Sequence, residues 1–335
     1  MLGIGQWLHY EDFSTLDRAV ELLEELGCRR LRTGISWADF HRPRGKSWYR
    51  RQMETLEAAG IETLVSVWHT PPSIAEGGAC SSPPVRLEDS ASCLGEIIQL
   101  YGDAFEAIEI WNEPNNRIKW NFRDYDADWS KFSRLARLGA EEAQRSGKTT
   151  VLGGMIPIDP SWLELIDRQG GLEHIDYVGV HAFPGMWWPN HPNWDWHEQW
   201  RGWEEKVEKL LPVVGERPIW TTETGLATWE LDDEQPGRFE LQSLRLRQAA
   251  QAPVERLYWY SLIDLDPRRP CIEMTEDGRC DENEYHMGLV THQGQRKPAF
   301  YELQRLLAEE AEEAEPALKP HRDSRGASAS ARRYS

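Results

Sequence analysis

The sequence predicts an α/β protein folded as a single (β/α)8 TIM barrel, and three observations predict it. Eight apolar, strand-like runs alternate with amphipathic helical segments along the chain, the pattern of parallel βαβ units. Eight is the count at which such units close on themselves, and 335 residues fit one barrel. No G-x-G-x-x-G follows the first run, so an open doubly wound sheet would lack its usual cofactor motif.

The strand-like runs fall at 2–8 (LGIGQWL), 29–37 (RRLRTGISW), 61–69 (IETLVSVWH) and 107–113 (AIEIWNE). Four more follow at 149–156 (TTVLGGMI), 176–183 (DYVGVHAF), 218–225 (PIWTTETG) and 254–264 (VERLYWYSLID). Helical periodicity marks 14–26, 49–59, 128–146, 197–211 and 237–251. Ser14 or Thr15 would cap the first of these helices, and Gly27 would stop it. These elements assign residues 1–308 to the barrel. From Glu309 onward the chain is charged, small and without apolar spacing, so 309–335 is predicted to be a disordered tail.

Composition narrows the partners. Hydrophobic residues make up 40% of the chain, enough for a large core. A formal charge of −18 would repel nucleic acid and anionic membrane surfaces. No apolar run approaches the ~20 residues that span a bilayer. The opening "MLGIGQWLHY" enters a strand-like run without a basic, then apolar leader, so a cytoplasmic location is expected. The five cysteines lack zinc-site spacing; they read as free thiols, with a Cys271–Cys280 loop bridge as the alternative. Seventeen tryptophans exceed what a core is expected to need. Those in "FPGMWWPNHPNWDWHEQW" (183–200) are interleaved with Pro, Asn and His, which suits a cleft wall better than a core stripe.

A barrel carries its chemistry at the C-terminal ends of its strands. In order, Arg32 lies near the end of strand two, His69 ends strand three, Asn112 and Glu113 end strand four, His181 ends strand six, Glu223 ends strand seven, and Trp259 lies in strand eight. Two glutamates thus end non-adjacent strands, and two facing carboxyl groups are what glycoside hydrolysis requires. One protonates the leaving oxygen; the other attacks the anomeric carbon or activates water. The acid must hold its proton near neutral pH while its partner stays ionised. Asn112 is placed to meet a sugar 2-hydroxyl, and the charge of Arg32 would keep Glu223 ionised. Tryptophan faces stack on pyranose C–H faces, and Trp187 and Trp188 are the candidates. His69 and His181 are candidate substrate contacts. A metal site from His69, His181 and Asp264 would want paired histidines after the first strand, where His9 stands alone, so neither metal nor cofactor is expected.

These segments together resemble the clan A glycoside hydrolases. "WNEPN" (111–115) and "TTETG" (221–225) are similar to the clan's acid/base and nucleophile signatures, and "LRTGISW" (31–37) to its strand-two arginine segment. "YWYSL" (258–262) looks like the strand-eight segment whose tryptophan floors the sugar site. The style is closest to family 39, which includes β-xylosidases, with family 5 next. The resemblance implies a retaining β-glycosidase acting on oligo- or polysaccharide, with Glu113 as acid/base, Glu223 as nucleophile and Trp259 under the sugar. One departure stands out. Many members carry a tyrosine two residues after the strand-six histidine, hydrogen-bonding the nucleophile; here that position is Phe183, leaving Tyr258 or Tyr260 as substitutes. A non-catalytic carbohydrate-binding barrel is the alternative reading.

Overall fold

Each apolar run forms one strand: β1 (Leu2–Gly5), β2 (Arg30–Ser36), β3 (Glu62–Trp68), β4 (Ala107–Ile110), β5 (Thr149–Met155), β6 (Tyr177–His181), β7 (Ile219–Thr224) and β8 (Arg256–Tyr260). The computed structural model describes residues 1–183, 203–228, 238–268 and 282–314. All neighbouring strands are parallel, and β1 pairs with β8 to close the ring. The strands stop short of the predicted runs because the polar residues at their C-terminal ends leave the ladder. β4 ends at Ile110, so Asn112 and Glu113 stand just beyond it.

Eight helices of nine or more residues cover the outside among the described residues. They are α1 (Phe13–Leu26), α2 (Gly45–Ala58), α3 (Glu88–Tyr101), α4 (Ser130–Arg145), α5 (Pro160–Arg168), α6 (Trp203–Val214), α7 (Arg238–Ala250) and α8 (Pro298–Ala314). Asp12, not Ser14 or Thr15, caps α1: its Oδ1 accepts from the Thr15 amide at 3.1 Å. Gly27 ends that helix at φ 71°, as its lack of a Cβ permits. The expected boundary at 308 falls inside α8, which runs on to Ala314. There Glu310 accepts from the Leu2 amide at 3.0 Å and from Arg30 Nη1 at 3.2 Å. Residues 315–335 lie outside the described residues.

Strand alternation separates two layers of core. Leu64, Ala107, Val151, Trp220 and Tyr258 fill the barrel interior. Leu31, Ile35, Ile108, Ile110 and Trp259 belong to the larger core shared with the helices. Eight tryptophans, Trp37, Trp48, Trp68, Trp111, Trp120, Trp162, Trp220 and Trp259, are buried. Core packing therefore accounts for much of the excess that the sequence suggested was functional. Cys28, Cys80 and Cys93 are free thiols; Cys271 and Cys280 lie outside the described residues. Among the described residues no helix is long and apolar enough to cross a membrane.

Candidate active site

The site is built around one buried cation. Arg32 faces into the barrel from β2 and is 1% exposed. Its Nε donates to Glu109 Oε2 at 2.8 Å, its Nη1 to Glu223 Oε1 at 2.5 Å, and its Nη2 to Asn112 Oδ1 at 2.7 Å. Burial disfavours the guanidinium charge, yet Glu109 and Glu223 outweigh burial and hold its pKa above the ordinary value. Because Asn112 Oδ1 accepts from Arg32, the amide of Asn112 turns its NH2 away from the guanidinium. Arg32 thus orients both the amide and the carboxylate.

Glu109 was not singled out in the sequence. It lies fully buried on β4 between Ile108 and Ile110, and its Oε1 accepts from the Gly154 amide at 3.2 Å. The available signal was a charge in an otherwise apolar run, on the face opposite its neighbours.

Glu113 and Glu223 meet at His181. The imidazole Nδ1 lies 2.9 Å from Glu113 Oε1 and 3.2 Å from Glu223 Oε2. One ligand atom each from Glu113, His181 and Glu223 falls within 4.8 Å of the others. Such a set could chemically hold a metal ion, but Arg32 sits 2.5 Å from Glu223, and its charge would oppose a cation there. The ring of His181 fits because residue 154 is glycine: a Cβ there would stand 2.0 Å from the ring's Cδ2. Among the described residues, Glu223's partners are Arg32 and His181. Neither suggested tyrosine is among them: the Tyr258 hydroxyl accepts from Arg256 at 3.3 Å, and that of Tyr260 donates to Glu284 at 2.9 Å. Phe183 packs with Ile156, Leu226, Ala227 and Met287, and the second polar group beside Glu223 is His181, whose Nδ1 hydrogen-bonds Glu113 and lies 3.2 Å from Glu223 Oε2.

Glu113 is 8% exposed. Burial pushes its carboxyl up, but the hydrogen bond and charge of His181, with Lys119 and Asn116, outweigh burial and hold it below the ordinary carboxylate value. That differs from the raised value expected of an acid in this position. Asn116, also missed in the sequence, donates to Glu113 Oε2 at 3.0 Å.

The loop carrying these groups is held by aromatic packing. Trp111, Trp120, Phe132 and Trp162 make successive ring contacts from the end of β4 to α5. Trp111 Nε1 donates to the Lys119 carbonyl at 3.1 Å, and Trp120 Nε1 to Asp126 Oδ2 at 3.1 Å. Trp111 and Glu113 adopt φ of 71° and 47°, left-handed values that cost a non-glycine residue about 1–3 kcal/mol. The packed aromatics hold the turn in that conformation.

One expected contact is placed differently. Trp259 faces the helices and is 1% exposed; Tyr258 and Tyr260 take the inward face of β8, so the structure does not put Trp259 under a sugar. His69 ends β3 at φ 68° with its ring against Trp68. Burial, with the charge of Lys119, pushes its imidazole down to about 3, so it is neutral across ordinary pH. Trp187 and Trp188 lie outside the described residues. Asp264 is held by Lys297 Nζ at 2.7 Å and the Gly288 amide at 2.7 Å.

A cavity of about 420 Å³ opens between the ends of β1 and β8, with Trp7 and Tyr260 on its wall. Trp7 packs against residue 34, a glycine whose Cβ would stand 2.2 Å from the indole. The Arg32 guanidinium carbon sits 5.0 Å from that ring's centroid.

No protein-family model matches the sequence, and no curated protein matches it. Solved structures share the fold. A family 39 glycoside hydrolase from Bacteroides cellulosilyticus WH2 aligns at TM-score 0.58 and 17% identity, over 91% of this chain and 63% of that one. A GH39 β-xylosidase from Caulobacter crescentus aligns at 0.63 and 16%, over 92% and 70%. A family 1 β-glucosidase from Thermotoga maritima aligns at 0.65 and 13%, over 92% and 97%. The chain thus spans less than two thirds of the first of these proteins. At such identities the likeness shows the (β/α)8 fold.

Proposed function

We propose that the protein is a retaining β-glycosidase that hydrolyses β-linked oligo- or polysaccharides by double displacement. The observation that carries this reading is the approach of Glu113 and Glu223 from β4 and β7 to one imidazole nitrogen. Carboxyl groups about 5–5.5 Å apart leave no room for a water between carboxylate and anomeric carbon, so one carboxylate attacks directly. Arg32 holds Glu223 Oε1 and stabilises its charge, which suits a nucleophile. Glu113 gives a proton to the leaving oxygen and later removes one from the attacking water. Asn112 offers its amide donors to a substrate hydroxyl. The fold is also that of the named glycoside hydrolases.

In this mechanism Glu223 forms a covalent glycosyl ester as the aglycone leaves, and water then cleaves that ester with net retention. The test is proton NMR of the first-formed anomer from a panel of aryl β-glycosides and oligosaccharides. A retained β-anomer is expected; an inverted product would overturn the mechanism. Binding without chromophore release would favour a non-catalytic carbohydrate-binding barrel.

A further inference from the structure

We infer that the cavity between β1 and β8 is a second sugar-binding subsite on the glycone side, so that the protein prefers substrates with at least two linked sugars there. The inference rests on the glycosidase reading and concerns where that substrate extends.

The argument starts from barrel geometry. In a closed ring of eight strands β4 stands opposite β8. Glu113, the acid, follows β4, so the leaving group lies on that side. Glu223, the nucleophile, ends β7, next to β8. A cavity at β8 and β1 therefore lies on the far side of the scissile bond from the aglycone. Neither glutamate, nor Asn112, nor His181 lines it, so it is separate from the position between the carboxylates. It is also adjacent to that position, because Trp7 on its wall touches Arg32, which holds Glu223.

The chemistry of the wall fits a sugar ring. Its volume of about 420 Å³ falls in the ~300–1,000 Å³ range of small-molecule sites. Trp7 and Tyr260 supply aromatic surface, and Glu284, Asp266 and Arg268 supply polar atoms. Arg268 Nη2 pairs with Asp266 Oδ2 at 2.7 Å, the Glu284 carboxylate accepts from the neutral Tyr260 hydroxyl at 2.9 Å, and the Arg18 guanidinium donates to the His292 and Thr291 carbonyls at 2.8 and 3.0 Å. The wall thus mixes donors and acceptors beside its aromatic surface, which suits sugar hydroxyl groups that both donate and accept.

The experiment compares matched aryl β-glycosides carrying one or two neutral sugars of the same kind. We expect kcat/KM to be at least tenfold higher for the two-sugar substrate, since remote contacts can lower the barrier to chemistry. Equal values, or a preference for one sugar, would overturn the inference. Ser14 borders the cavity and is exposed; in Ser14→Trp the ratio of the two kcat/KM values falls towards one. An unchanged ratio in the folded variant would also overturn it. Calorimetry of Glu223→Ala with a mono- and a disaccharide reads the cavity without turnover: tighter binding of the disaccharide supports the subsite, and equal binding refutes it. Failure of the subsite and failure of the hydrolase reading are thereby separate results.

Discussion

Replacing His181 by glutamine tests how the site controls the proton on Glu113. In the native site burial raises the Glu113 pKa, but the hydrogen bond and charge of His181 lead the opposing effects and the net direction is downward. Glutamine keeps an amide donor near Glu113 Oε1 and removes the charge. The amide still donates to the ionised carboxylate, so what is lost is the attraction of a unit charge, on the order of 1–4 kcal/mol at ~4 Å between the dielectric of water and that of a protein surface. The low end of that range is about one pKa unit. As general acid Glu113 must be protonated, so activity is lost as pH rises through its pKa. Lowering that pKa places the native basic limb on the acid side of neutrality; raising it moves the limb to higher pH. The assay is the pH profile of kcat/KM on an unactivated alkyl β-glycoside, whose leaving group needs the proton. An upward shift of about one unit is expected for His181→Gln. A basic limb that stays in place or moves down would refute the reasoning.

Other substitutions separate the remaining roles. Glu223→Ala abolishes turnover on every substrate, and added azide restores product as a glycosyl azide of inverted configuration, read by NMR. Glu113→Ala slows substrates with poor leaving groups far more than activated aryl glycosides; equal loss on both would reverse the assignment. Arg32→Met leaves Glu109 and Glu223 buried without their cation, costing about 3–5 kcal/mol. At about 2.1 cal/mol/K per residue over ~310 residues, that lowers Tm by roughly 5–8 °C in calorimetry. Gly154→Ala forces a Cβ to within 2.2 Å of His181 Nε2, so kcat falls more than Tm does; unaltered kinetics would show that the ring can move aside.

What could be read from the sequence follows from which signals are local. Asn112, Glu113, His181 and Glu223 were legible because each is a polar residue at the end of an apolar run, where a barrel opens to its site; Arg32, expected near the end of its strand, is instead the third residue of β2 and reaches the site by the length of its side chain. Trp259 was misplaced by one position of register, and a one-residue slip moves a side chain to the other face. The run 254–264 is apolar on both faces, as a doubly covered parallel strand is, so its composition carries no parity. Glu109 was hidden for a related reason: its partner Arg32 is 77 residues away, and only strand order brings the two together. The Asp12 cap lay two residues before the periodic segment 14–26 used to start the helix. The lowered pKa of Glu113 needed His181 in three dimensions.

The pairing of β1 with β8 has a consequence for how the molecule assembles. Leu2 meets Leu257 and Gly5 meets Tyr260 across that seam, so the first strand waits for the last before its second edge is satisfied. In any arrangement without β8 the outer edge of β1 would be unpaired, and such edges invite association with other chains. Gln6 strengthens the seam once it forms, since its Oε1 accepts from the Ile263 amide at 2.9 Å. The cavity between β1 and β8 lies on this same seam, so it exists only after the ring has closed. Arg32, Glu109 and Asn112 sit on the early strands, whereas Glu223 arrives with β7. Without β7 the guanidinium would have Glu109 as its only carboxylate partner in the network, so closing the ring also completes the charge balance of the site.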